Sequence, residues 1–158
     1  FRRYGVRVEI REVDLDDARD SLGIEHVEVP RPIFDAMFAH SGWCRPYEAC
    51  GLVAFDGDGP AFVFCLTNTD QSGHRFTIDP AEHFGSMRFA ERLGLEIGGM
   101  FHSHLLSEAY PSDSDIQGGA DPDWIHFIVG PVDGPRPVLR GFRIADGDVR
   151  ELSVGVGE

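Results

Sequence analysis

The sequence predicts an α+β fold in which helices flank a largely antiparallel sheet. Two kinds of segment alternate along the chain, apolar runs of strand length and stretches with helical periodicity. The last three predicted strands follow one another through short turns, as in an antiparallel meander. With 158 residues, 42% of them hydrophobic and 26% charged, the chain has the size and composition of one soluble globular domain.

We expect two parts, an N-terminal extension of unknown role over residues 1–28 and the main domain over residues 29–158. In the extension, Val6–Val13 alternates apolar and polar side chains, which predicts a half-buried strand. Asp14–Leu22 has the boundary residues of a short helix. Because the chain opens on Phe1 and not on methionine, we expect it to be trimmed, processed or part of a longer protein.

The first half of the main domain predicts a helix, a pair of strands and a second helix. Pro30–Trp43 has a proline in its first turn and apolar residues at helical spacing. A strand over Glu48–Phe55 and its partner over Ala61–Thr67 are joined by a turn rich in aspartate and glycine. Asn68–Asp79 is polar and predicts a loop, after which Pro80 starts the second helix behind an aspartate cap.

The second half predicts four strands and a short helix. Ile97–Phe101 is apolar throughout, which is typical of a buried strand, and Ile116–Ala120 continues a short helix. Trp124–Val129 is a second buried strand. Val138–Ile144 and Val149–Leu152 form a hairpin around a tight Asp-Gly-Asp turn.

The net charge and the cysteine content of the chain indicate which binding partners and which cellular compartment to expect. A net charge of −13 argues against nucleic acids and anionic membranes as partners, because both require a basic surface. The chain has no apolar run near the length of a membrane span and no signal-peptide pattern. Cys44, Cys50 and Cys65 form no Cys-x-x-Cys pair, so we expect a reducing, cytoplasmic location. For Cys50 a buried hydrophobic role is favoured over a nucleophilic one.

Four polar side chains that follow the predicted strand Ile97–Phe101 are the candidates for chemistry. His102 and His104 stand two residues apart at a strand end, so their imidazoles leave the strand on the same side. Ser112 and Asp115 lie three apart at a predicted helix start, on one face of its first turn. Two imidazoles and one carboxylate are good zinc ligands, and three protein ligands leave the open position that is typical of a catalytic site.

A simpler interpretation also exists for the histidine pair, for Ser112 and for the upstream Glu48. A His-x-His pair alone is more often a surface or hydrogen-bonded pair than a metal site. Ser112 is also a helix cap. Glu48, at the mouth of an apolar strand, is either a solvated strand end or a functional acid.

The full pattern resembles the signature of the JAMM (MPN-type) metallopeptidases. That signature has a glutamate well upstream, then His-x-His, seven residues, serine, two residues and aspartate, and the chain has every element at this spacing. The sequences around Glu48 and Glu108–Ser112 are similar to the bacterial branch, which includes a peptidase that releases cysteine from a ubiquitin-like sulfur-carrier protein. The resemblance covers about residues 29–152.

This resemblance implies a JAMM/MPN-like (cytidine-deaminase-like) fold and a Zn²⁺ cofactor held by His102, His104 and Asp115. Glu48 would exchange protons with water and with the leaving amine, and Ser112 would stabilise the oxyanion. The implied substrate partner is a ubiquitin-like sulfur carrier, cut after its terminal glycine. Two alternatives stay open, a deconjugase that removes a ubiquitin-like modifier from target proteins and a non-catalytic MPN assembly domain.

Overall fold

The computed structural model describes residues 23–118 and 121–158, so the strand and helix predicted within residues 1–22 lie outside the described residues. Seven strands and three helices follow one another in these ranges. In chain order they are β1 (His26–Val29), α1 (Arg31–Trp43), β2 (Cys50–Asp56), β3 (Gly59–Leu66), α2 (Pro80–Arg92), β4 (Glu96–Ser103), α3 (Asp113–Gln117), β5 (Ile125–Gly130), β6 (Val138–Ala145) and β7 (Asp148–Val156).

The strands form one mixed sheet in the order β1-β7-β6-β5-β4-β2-β3. Four of the neighbouring pairs are antiparallel, while β1 runs parallel to β7 and β4 parallel to β5. The predicted α+β fold and the meander of the last three strands are therefore confirmed. The parallel contact between β4 and β5 places the carboxyl ends of two buried strands at the same edge of the sheet, where the predicted ligands lie.

One predicted strand boundary is wrong by two residues. The strand expected to begin at Glu48 begins at Cys50, because Glu48 takes part in loop hydrogen bonds instead of the ladder. The short helix predicted to start behind Ser112 does so and spans Asp113–Gln117, with Gly118 at its end. β1 starts at His26, so it crosses the expected division between residues 28 and 29 and joins the sheet by pairing with β7.

The core lies between α1 and the face of the sheet that carries Phe101 and Phe127. Of the apolar residues at helical spacing in α1, Ile33 and Met37 are buried, and Phe38 is partly buried and packs against the core. The second helix packs on the opposite face, where the Phe89 ring lies 5.6 Å from that of Phe62. The polar site residues emerge on this second face. Within the described residues no helix is both long and apolar enough to cross a bilayer.

Gly51 is required by the close packing of β2 on β3 and β4. A Cβ atom there would overlap the carbonyl oxygen of Phe64 and the ring of Phe101. We therefore expect Gly51→Ala to lower the free energy of unfolding by about 1–3 kcal/mol, the usual cost of overpacking a core. Gly42, in α1, is the matched control because a Cβ there meets nothing within 4 Å. Gly42→Ala should stabilise by about 0.5–1 kcal/mol, and urea titration that ranks the two variants the other way would contradict this account.

Candidate metal centre

The two histidines leave β4 side by side because the strand pattern continues past its last residue. His102 lies within β4, opposite Ile128 of β5. The backbone N–H of His104 still donates to the carbonyl of Val129, at 2.8 Å, although β4 ends at Ser103. Both side chains are nearly fully buried. Alternation along this extended segment brings the two imidazoles together, as the sequence predicts.

Asp115 reaches the histidines from the first turn of α3. Ser112 is the N-cap of this helix, and its Oγ accepts a hydrogen bond from the N–H of Asp115 at 3.2 Å. The Asp115 carboxylate in turn accepts from the N–H of Ser112 at 2.9 Å, which completes a capping box. These reciprocal bonds fix the direction in which the carboxylate points.

Three donor atoms converge in this centre. Nε2 of His102 lies 3.1 Å from Nε2 of His104, and Oδ2 of Asp115 lies 3.1 and 3.2 Å from these nitrogens. Ligands bound to zinc at 2.0–2.1 Å in a tetrahedron are separated by about 3.3 Å. The triangle therefore has nearly the size of one face of a zinc tetrahedron, and these side chains could hold a metal ion.

One backbone contact determines which nitrogen of His104 is available. Nδ1 of His104 lies 2.7 Å from the carbonyl oxygen of Glu108, and that oxygen can only accept. Nδ1 therefore carries a proton that it donates to Glu108, and in the neutral imidazole the lone pair of Nε2 faces the centre. A histidine ligand oriented by a carbonyl on its other nitrogen is the usual arrangement in metal sites.

A metal ion would bind neutral histidines and an ionised aspartate. Burial and hydrogen bonding shift the pKa values of His102 and Asp115 toward these forms. Burial lowers the pKa of His102, which favours neutral imidazole. Burial opposes ionisation of Asp115, but hydrogen bonds from both histidines outweigh it and hold the pKa of Asp115 well below its ordinary value. His104 differs, because its bonds to Asp115 and Glu108 outweigh burial and raise its pKa.

Glu48 lies in the loop before β2, beside the centre. Its backbone N–H donates to the carbonyl of Ser72 at 2.8 Å, and its own carbonyl accepts from Nδ2 of Asn68 at 3.0 Å. The residue is only 4% exposed, and its Oε2 has no hydrogen-bond partner among the described residues. Burial raises the pKa of Glu48 to about 7. A buried carboxylate without a partner is costly, and it marks a position where an additional group is expected to bind.

Ser112 keeps a free donor even though it caps the helix. The cap uses a lone pair of Oγ as acceptor, so the hydroxyl hydrogen is not consumed. Oγ also lies 3.0 Å from Oγ of Ser114, a contact in which either hydroxyl can donate. The interpretations of Ser112 as a cap and as a donor are therefore compatible.

Two cavities flank the centre. The first, of about 510 Å³, is bordered by His102 and Asp115 and is named the His102 cavity. The second, of about 550 Å³, is bordered by Glu48, His104 and Ser112 and is named the Glu48 cavity. The centre thus has space for a chain on each side.

Two contacts of the centre were missed from the sequence. The ring of Phe76 stacks on His102, with ring centroids 4.6 Å apart, so the loop before α2 covers one of the candidate ligands. A lone aromatic residue in a polar loop was the available signal. The carbonyl of Glu108 that orients His104 belongs to the backbone, and no residue type signals such a contact.

Comparison with known proteins assigns the chain to a family. The family described as prokaryotic homologs of the JAB domain matches residues 30–145. The chain belongs to this family. The predicted resemblance to JAMM/MPN proteins is thereby confirmed, and the match begins within one residue of the predicted start of the main domain.

Curated relatives of this JAB-family chain include two kinds of enzyme. The CysO-cysteine peptidase of Mycobacterium tuberculosis is 34% identical over 128 residues, which cover 80% of the chain and 88% of the relative. The desampylase of Haloferax volcanii is 27% identical over 114 residues, 70% of the chain and 79% of that protein.

Solved structures agree with the fold. A protein of Desulfitobacterium hafniense has a TM-score of 0.76 at 31% identity and covers 84% of the chain and 93% of its own length. A JAB1/MPN domain protein from Archaeoglobus fulgidus has a TM-score of 0.54 at 16% identity, over 84% of the chain and 97% of its own length. The JAB1/MPN fold predicted from the sequence is therefore confirmed.

Proposed function

We propose that the chain is a zinc-dependent peptidase or isopeptidase that hydrolyses the bond after the C-terminal glycine of a ubiquitin-like sulfur-carrier protein. One observation carries the proposal: a compact triangle of two imidazole nitrogens and a carboxylate oxygen lies beside a buried glutamate that has an oxygen without a partner. The CysO-cysteine peptidase among its relatives supports the choice of substrate.

The donor set of His102, His104 and Asp115 suits zinc better than the other common cations. Calcium and magnesium prefer oxygen ligands throughout, whereas zinc accepts imidazole nitrogen and carboxylate oxygen together. The side chains are preorganised, since His104 is held by Glu108 and Asp115 by Ser112. The unpaired Oε2 of Glu48 fits the same interpretation, because Glu48 borders the same cavity as His104 and would have an acceptor free for a water held there.

The residues of this chain divide the work of hydrolysis. A bound zinc ion supplies Lewis acidity and lowers the pKa of coordinated water to about 7. Glu48 accepts a proton from the attacking water and passes it to the nitrogen of the breaking C–N bond, so that the products are a carrier carboxylate and a free amine. The Ser112 hydroxyl donates a hydrogen bond to the carbonyl oxygen as negative charge develops there.

A second candidate function rests on a different relative. The desampylase match favours removal of a ubiquitin-like modifier from a target protein, in which case the leaving amine is a lysine side chain. A non-catalytic assembly domain is disfavoured because all five signature residues, Glu48 included, are present. We also propose a cytoplasmic location, which the absence of a disulfide among Cys44, Cys50 and Cys65 supports.

The test uses the ubiquitin-like carriers encoded in the same genome. Each is purified with cysteine, or with the side chain of a lysine peptide, joined to its terminal glycine, and is incubated with the protein before and after chelation. We expect zinc-dependent release of cysteine, restored when zinc is added back. Release of lysine peptide alone would favour the desampylase-like activity, and no metal-dependent cleavage of any adduct would refute both.

A further inference from the structure

The two cavities beside the centre are not equivalent, because the proton donor borders only one of them. Glu48 lines the Glu48 cavity and is absent from the residues bordering the His102 cavity. An acid that protonates a departing amine must lie within hydrogen-bond reach of that nitrogen. If Glu48 acts as proposed, the leaving amino acid therefore occupies the Glu48 cavity and the carrier tail approaches from the His102 cavity.

We infer that His74 is a specificity-determining residue that binds the α-carboxylate of the amino acid released in the Glu48 cavity. This inference rests on the proposed function and deepens it. An amino acid joined through its amino group keeps a free carboxylate, which loses hydration when it enters the cavity beside Glu48. A hydrogen-bond donor on the cavity wall is needed to compensate.

His74 is the side chain suited to this task among the described residues that line the cavity. The wall contains no arginine, and the chain contains no lysine. His104 is engaged by Glu108 and Asp115. Of the serines on the wall, Ser112 is assigned to the carbonyl oxygen, Ser114 contacts Ser112, and Ser107 offers only a neutral hydroxyl. Arg45, close in sequence to this wall, is bonded to Gly42 and Asp133. An imidazole carries at least one N–H donor in either charge state, so His74 can donate to a carboxylate.

The loop that carries His74 is attached to the segment that carries Glu48. Ser72 accepts the backbone N–H of Glu48 through its carbonyl, at 2.8 Å, and the N–H of His74 through its Oγ, at 3.1 Å. A Cβ on Gly73 would lie 3.0 Å from the carbonyl oxygen of Pro46, so the two segments are in close contact. The backbone of His74 is thus held at a fixed place relative to the acid, as a specificity residue requires.

The experiment compares two adducts that differ only in the carboxylate. A carrier is joined through its terminal glycine to cysteine or to cysteamine, and kcat/KM is measured for both. We expect the parent to prefer cysteine by about tenfold, the lower end of the range for a hydrogen bond to a charged group. His74→Ala should remove this preference by slowing the cysteine adduct alone, mainly through KM, and His74→Gln should restore part of it because an amide still donates.

Arg75→Ala is the matched control, because this neighbouring cation borders the His102 cavity and not the Glu48 cavity. It should change both adducts by the same factor and leave their ratio as in the parent. Zinc content and thermal unfolding are measured for every variant, so that a damaged fold is recognised.

The outcomes separate the inference from the proposed function. If His74→Ala slows both adducts equally, or leaves the preference intact, the assignment of His74 is overturned while the peptidase function stands. If the zinc-loaded parent cleaves neither adduct, the proposed function is overturned and the inference with it. Loss of the preference in His74→Ala, with unchanged zinc content, supports both.

Discussion

Replacing Glu48 with glutamine should nearly abolish turnover and, at the same time, stabilise the metal-free fold above neutral pH. Glutamine keeps the shape of the side chain but cannot accept a proton from water or deliver one to an amine. Loss of general acid–base catalysis costs a factor of about 10²–10⁴ in kcat. The two effects have one origin, because the environment that prepares Glu48 for proton transfer also penalises its charge.

The stability effect follows from the raised pKa. A buried acid with a raised pKa binds more protons in the folded state than in the unfolded state, so its contribution to stability falls as pH rises. Because each pKa unit corresponds to about 1.4 kcal/mol, a rise from the ordinary 4.5 to about 7 costs the metal-free fold about 3 kcal/mol when Glu48 is fully ionised. The cost is absent below pH 4.5, grows up to pH 7 and is complete above it.

The measurement is chemical unfolding of the metal-free protein at pH 5 and pH 8, together with kcat of the zinc-loaded protein. Glu48→Gln should be more stable than the parent at pH 8 and much closer to it at pH 5. Glu91→Gln is the control, because it makes the same change at an exposed position of α2. A stability difference that does not depend on pH would disprove the assigned cause.

His104→Ala should eliminate tight zinc binding. The variant removes one of the three proposed ligands and leaves a space in place of the His104 imidazole. Changes in outer contacts of a metal site already cost about 10- to 100-fold in affinity, and loss of a ligand should cost more. Added zinc should therefore no longer raise the melting temperature of the variant at concentrations that stabilise the parent.

His26→Ala is the control for this experiment, since His26 is an exposed histidine of β1 that contacts Glu28 and Ser153. Its zinc stoichiometry, measured by elemental analysis after gel filtration, should equal that of the parent. Equal zinc content in all three proteins would place the metal elsewhere or exclude it from the chain.

The part of the site that is local in sequence could be predicted well. Alternation in a strand brings His102 and His104 together, and serine capping sets the first turn that carries Asp115, so short-range rules suffice. The contact between Asp115 and the histidines depends on how the chain between them folds. We inferred that contact from the family resemblance. The roles of Glu48, Ser112 and the three ligands stay predictions until the variants are measured.

Features that depend on distant contacts could not be predicted. β1 is only four residues long, and its place in the sheet comes from pairing with β7, more than a hundred residues later. Glu48 was assigned to a strand because its neighbours are apolar, whereas loop contacts with Ser72 and Asn68 hold it outside the ladder. Such partners are chosen by packing of the whole domain and leave no local pattern.

The reciprocal bonds between Ser112 and Asp115 have a consequence for how the site can evolve. One carboxylate both closes the capping box and faces the histidines, so a residue without a side-chain oxygen at position 112 weakens the turn that carries Asp115 and removes a hydroxyl group from the site. Positions 112 and 115 should therefore change together in evolution, since selection for one of these residues depends on the presence of the other.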